Sequence, residues 1–185
     1  MSAAVHTALW ERLDAPGWES VCLQQVAAGW EIDGRYVGRH EGAAVAAEYR
    51  LILDPHWVTV RLEAAWGLGP ARTWLTLDRI GTRWRANGTP RPDLDGCIDV
   101  DIRWTPLTNT LPIRRLGLQP GDAREIEVAW VGEGDLAVGK NAQRYTRTGA
   151  RTWRFEALEN GFAAEIEVDG EVFVLDYPAL FRRLC

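Results

Sequence analysis

The chain has 185 residues, 46% of them hydrophobic and 25% charged, with a formal net charge of −5. That length suits one domain able to bury roughly 70% of the surface of its unfolded chain, and the composition leaves no polar tract that must stay disordered. The acidic balance excludes the cationic stripe that nucleic acid demands, and no apolar run approaches the ~18 residues of a transmembrane helix.

Met1 to Leu13 has no basic start and no long apolar run, and it carries Glu11 and Arg12. No secretion signal is expected, so the protein reads as cytoplasmic. Ala3–Arg12 is expected to form a short turn of helix, and residues 1–15 are expected to be a loosely attached N-terminal segment of a single domain, 1–185. Apolar and polar residues alternate, as in strands with one buried face, over Ala46–Leu53, Trp57–Glu63 and Thr73–Leu77. The pattern resumes over Glu125–Val131, Gln143–Thr148, Thr152–Glu156, Phe162–Val168 and Val172–Leu175. Asn87-Gly88, Asn160-Gly161 and Asp169-Gly170 are hairpin-turn signals, because both residues of each pair tolerate positive φ. Tyr177–Arg183 places Pro178 where a first helical turn accepts it. Many short strands without helical periods specify a mainly β fold, an antiparallel barrel, sandwich or roll, with at most short terminal helices.

Ten Trp stand against four Phe and four Tyr; such rings suit a broad interior or a half-wet cavity wall. Cys22, Cys97 and Cys185 lie too far apart for a disulfide framework or a metal clip and are expected to be reduced. His6, His40 and His56 have no ligand spacing and read as turn or surface residues.

From Asp95 the chain reads DGCIDVDIRWTPLTNTLPIRRL. Its alternation projects Asp95, Cys97, Asp99 and Asp101 from one strand face and Ile98, Val100 and Ile102 from the other. Carboxylates two apart on a strand lie roughly 6.5–7 Å from each other, so the row needs cations or donors facing it. Arg114 and Arg115, on a following strand, Arg144, Arg147, Arg182 and Arg183 are the candidates, since a planar guanidinium grips a carboxylate through two N–H groups. One reading is a satisfied network of acids and arginines. The other is a concave site whose polar groups bind ligand hydroxyls while Trp104 or a neighbouring indole stacks on a sugar face. Thr105–Pro112 either bonds its own backbone in a tight loop or forms a rim where Asn109 and Thr110 meet a polar head group.

GCIDVDIRWTPLTNTLPIRRL, followed by QRYTR and DYPALFRRL, resembles the pattern of a bacterial family described as "putative glycolipid-binding". YRLILDPHWVTVRLE and RWRANGTPRPDLDGC look like its upstream strands, so the likeness runs from about Trp18 to Arg183. The resemblance implies a single-domain antiparallel spiral β-roll that holds a glycolipid or similar amphiphile without catalysis. It marks Asp95, Cys97, Asp99, Asp101, Thr105, Asn109, Thr110, Arg114, Arg115, Arg144, Tyr145, Asp176 and Tyr177 as motif positions. Ligand contacts are expected from Asp99, Asp101, Trp104, Asn109, Thr110, Arg114, Arg144 and Tyr145, with no catalytic residue, metal ligand or cofactor.

Two other classes stay open. Asp95, Asp99 and Asp101 could serve a hydrolase or lyase if their environments split the acidities of two of them, although abundant Arg favours acids that are all ionised. Exposed strand edges or a Trp-rich patch could instead bind another protein. Nucleophilic catalysis through Cys97 lacks a partnering base, and packing is the expected fate of that thiol.

Overall fold

The structure, a computed structural model, describes residues 5–185. In chain order the strands are β1 (Val5–Arg12), β2 (Gly17–Val26), β3 (Gly29–His40), β4 (Ala43–Leu53), β5 (Thr59–Trp66), β6 (Thr73–Ile80), β7 (Arg83–Ala86), β8 (Thr89–Pro90) and β9 (Asp99–Ile102). After one helix, α1 (Thr110–Leu116), come β10 (Ala123–Val131), β11 (Val138–Arg147), β12 (Thr152–Ala157), β13 (Phe162–Val168), β14 (Val174–Tyr177) and β15 (Phe181–Arg183). All fifteen join one sheet, in the order β8-β7-β6-β5-β4-β3-β2-β1-β15-β14-β13-β12-β11-β10-β9. The fold is mainly β, as the alternation predicts.

The sheet rolls up on itself. Its edge strand β9 touches β5, and the turn Pro92–Leu94 beyond the other edge touches β7 and β11. Two cores result. Trp10, Tyr36, Trp57, Trp66, Trp84 and Trp104 fill the first, between β1–β7 and β9, and Tyr145, Trp153, Phe155, Tyr177 and Phe181 belong to the second, within β11–β15. Most of the indoles therefore pack an interior, each removing a large apolar area from water.

Every neighbouring pair is antiparallel except β9 and β10, which run parallel. A parallel pair needs a crossover of a dozen or more residues, and here the crossover is the DIRWTPLTNTLPIRRL stretch itself. Every residue from Trp104 to Ile113 is buried, so of the two readings of Thr105–Pro112 the rim fails, and the segment is a plug around which the sheet wraps. A 3-10 turn, Leu107–Asn109, leads into α1, where Pro112 sits in the first turn and needs no intrahelical donor. Gly117, at φ 57°, ends the helix in the left-handed conformation that a Cβ disfavours. Arg114 and Arg115 thus stand on a helix rather than on a second strand.

Both expected terminal helices are strands. Ala3 and Ala4 lie outside the described residues, but Val5–Arg12 is β1, with Ala8, Trp10 and Arg12 turned inward. Tyr177–Arg183 is a tight hairpin closed by Leu180 N–H donating to the Tyr177 carbonyl, with Ala179 at φ 64°. A positive φ at Ala179 is incompatible with a right-handed turn, and Pro178 starts the reversal instead. Asn87-Gly88 is a hairpin turn with both φ values positive, but at Asn160-Gly161 only Gly161 is. At Asp169-Gly170 the positive φ falls on Val172, because Asp169 Oδ1 accepts from the Glu171 and Phe173 amides and holds a wider turn.

Candidate functional site

The acidic row is shorter than its alternation suggests. Gly96 takes φ 94°, so the strand begins only at Asp99. Asp95 stays outside it, with its carbonyl accepting from Lys140 Nζ, and Cys97 turns into the first core. There burial pushes the thiol up to about 11 and keeps it protonated. Val100 and Ile102 enter the first core, while Asp99 and Asp101 point to the other side of the strand and meet different partners.

Asp99 is fully buried and held by Arg115, whose Nε and Nη2 donate to its two carboxylate oxygens at 3.1 and 2.5 Å. Burial raises its pKa and the Arg115 bond and charge oppose the rise. Asp101 accepts from Thr108 Oγ1 at 3.1 Å and from Gln143 Nε2 at 2.7 Å. Burial likewise raises its pKa, yet it keeps accessible surface because it forms the floor of a cavity.

That cavity encloses about 430 Å³, within the span of ~300–1,000 Å³ usual for small-molecule sites. The plug contributes Thr105 and Asn109, β10 Trp130, and β11 Lys140, Asn141 and Gln143. Phe155, Phe162, Tyr177, Leu180 and Phe181 line it as a largely aromatic wall. Three of these rings gather around Tyr177, with centroid separations of 6.0 Å for Phe155–Tyr177, 6.3 Å for Phe162–Tyr177 and 6.4 Å for Tyr177–Phe181. The lining thus joins polar groups of the plug and β11 to aromatic rings of β12–β15.

The floor is braced from behind. Tyr145 donates to Asn109 Oδ1 at 2.9 Å, and Asn109 Nδ2 donates to the Pro106 carbonyl, which fixes the amide facing the cavity. Burial raises the Tyr145 pKa, as do the nearby Asp101 and Tyr177, so the hydroxyl remains a donor. Tyr177 is raised by burial first and by the charge of Asp101 second. Among the described residues no protein group bonds its hydroxyl.

Of the positions expected to contact a ligand, the structure brings together Asp101, Asn109 and, behind them, Tyr145. The others go elsewhere. Trp104 is sealed in the first core against Trp66 at 5.0 Å. Thr110 donates to the Val172 carbonyl. Arg114 lies over the Trp57 ring at 4.4 Å and pairs with Glu171. Arg144 pairs with Glu125 on the outer face, and Asp99 belongs to Arg115. Gln143, Phe155, Phe162 and Phe181 are not among the positions expected to contact a ligand. One signal did exist: Gln143 and Tyr145 occupy the inward phase of an alternating strand, where a polar Gln is out of place.

Within the described residues no helix is long and apolar enough to cross a membrane. Among curated proteins, none matches the chain. A crystal structure of a DUF1089 family protein from Pseudomonas aeruginosa is similar over 91% of this chain and 92% of that one, with 34% identity and a TM-score of 0.78. The family model described as "Putative glycolipid-binding" matches residues 7–183, and the chain belongs to that family.

Proposed function

We propose that the protein binds an amphiphilic small molecule, of the glycolipid kind, in the cavity between the plug and β11–β15, and does not transform it. The observation that carries this reading is the pairing of the Asp101 carboxyl, on the cavity floor, with the wall of Phe155, Phe162, Tyr177 and Phe181. A polar head meets acceptors and donors at one end, and an apolar tail leaves water along the rings. Each buried CH₂ contributes ~0.8 kcal/mol, so two further methylenes tighten binding by roughly tenfold until the wall is covered.

Binding suits the geometry better than acid–base hydrolysis does. Asp95, Asp99 and Asp101 go to three different places, and only Asp101 faces the cavity. Titration with alkyl glycosides of increasing chain length, read by calorimetry, tests the proposal. Saturable binding that tightens with chain length and is lost in Phe162→Asp is expected; Phe162 is 37% exposed, so the variant keeps the fold. Absence of saturable binding across glycolipids and alkyl glycosides, with purified protein bare in native mass spectra, overturns it.

A further inference from the structure

We infer that the head group accepted by this cavity is uncharged and carries adjacent hydroxyls, and that an anionic head of similar size is turned away. The inference rests on the reading that the cavity binds an amphiphile, and it concerns which one. A carboxylate offers about four acceptor positions on its two oxygens. Thr108 takes one on Oδ1 of Asp101 and Gln143 one on Oδ2, leaving one on each oxygen. Two neighbouring hydroxyls can donate to the two oxygens of a single carboxylate, whereas a phosphate, sulfate or carboxylate has only acceptors to present. Tyr177, unbonded among the described residues and facing the same space, supplies the donor that a hydroxyl or ring oxygen needs.

The cations near the mouth are already matched. Arg103 donates to Asp14 at 3.0 Å. Lys140 donates to Glu127 at 3.1 Å and to the Asp95 carbonyl at 2.9 Å. The charge of each is offset by its acid partner, and an incoming anion would face Asp101 and Glu159, both of which line the cavity. Like charges in a partly dehydrated space repel strongly. The pyranose of a neutral glycoside has, besides its hydroxyls, an apolar C–H face that suits the ring wall.

Four decyl probes differing only in the head, a glucoside, a phosphate, a sulfate and a trimethylammonium, decide the matter by calorimetry below their micellar concentrations. The glucoside is expected to bind at least about tenfold more tightly than either anion. Asp101→Asn is expected to weaken the glucoside at least about tenfold and to narrow or reverse its margin over the sulfate. Tyr177→Phe removes only a donor; it is expected to weaken the glucoside several-fold and leave the sulfate unchanged, and it serves if Asp101→Asn does not fold. An anion binding as well as the glucoside overturns the inference. So does the ammonium binding better, which would signal a negative field rather than hydroxyl recognition, or a margin unmoved by both variants. If no decyl probe binds at all, the cavity reading itself falls and the inference with it.

Discussion

The Tyr49 hydroxyl donates to Glu19 Oε1 across 2.8 Å inside the first core, while Glu19 Oε2 has no protein partner among the described residues. Burial pushes this carboxyl from its ordinary 4.5 up to about 8, against bonds from Thr105 and Tyr49. The folded protein therefore keeps a proton that the unfolded chain releases between those values. The contribution is fully present below about pH 4.5 and is lost as pH rises through about 8, at up to ~1.4 kcal/mol per pH unit. Denaturant titrations across this range are expected to show wild type losing stability with pH and Glu19→Gln, neutral and nearly isosteric, losing less.

The buried pair of Asp99 and Arg115 yields a contrast between single and double replacement. Removing one partner strands a charge or its hydrogen-bonding groups, at a cost of ~3–5 kcal/mol for Asp99→Leu or Arg115→Met alone. The double variant has neither charge to desolvate and is expected to recover most of that loss. Urea unfolding midpoints of the four proteins check it; additive losses would mean that the two side chains act separately.

Gly34 lies opposite Tyr49 in the β3–β4 register, and a Cβ there would come within 2.2 Å of the Tyr49 ring. Gly34→Ala is expected to cost about 1–3 kcal/mol or more through overpacking. In a Tyr49→Ala background the added penalty should largely vanish, because nothing remains to collide with. A double-mutant cycle on thermal or chemical unfolding gives the coupling.

Tyr145→Phe leaves the buried Asn109 Oδ1 without its donor and is expected to cost ~1–3 kcal/mol. Because the same amide faces the cavity, alkyl glucoside affinity should fall as well. Unchanged stability in chemical denaturation would show that water replaces the tyrosine.

Much of the fold is legible in the sequence because alternation is a local signal. The strands from Ala46 to Leu77 and from Glu125 to Val168 are inward-outward patterns of side chains, and the sheet preserves them. β1 and β15 are not legible that way, and β14 only in its first half, where the alternation of Val172–Leu175 reaches it. The strand character of β1 and β15 comes from pairing across the whole chain, Arg12 with Phe181 and Trp10 with Arg183, which no window of neighbours contains. The plug is legible in part: Thr105, Thr108 and Asn109 bond nearby backbone, as hydroxyl and amide side chains in a tight loop do, but its burial beneath the sheet is a long-range outcome. The site is half legible. Asp101 and Asn109 stand within the motif, whereas Phe155, Phe162 and Phe181 come from hairpins that only the roll assembles.

The pairing of β1 with β15 also sets an order of events. Glu11 and Arg182, joined by a hydrogen bond, are 171 positions apart. A ribosome must deliver nearly all of the chain before β1 gains its second neighbour, and until then β1 and β14 are open edges able to recruit strands from other chains. The three residues of β15 seal the sheet late, and the growing chain is most exposed to aggregation just before they emerge.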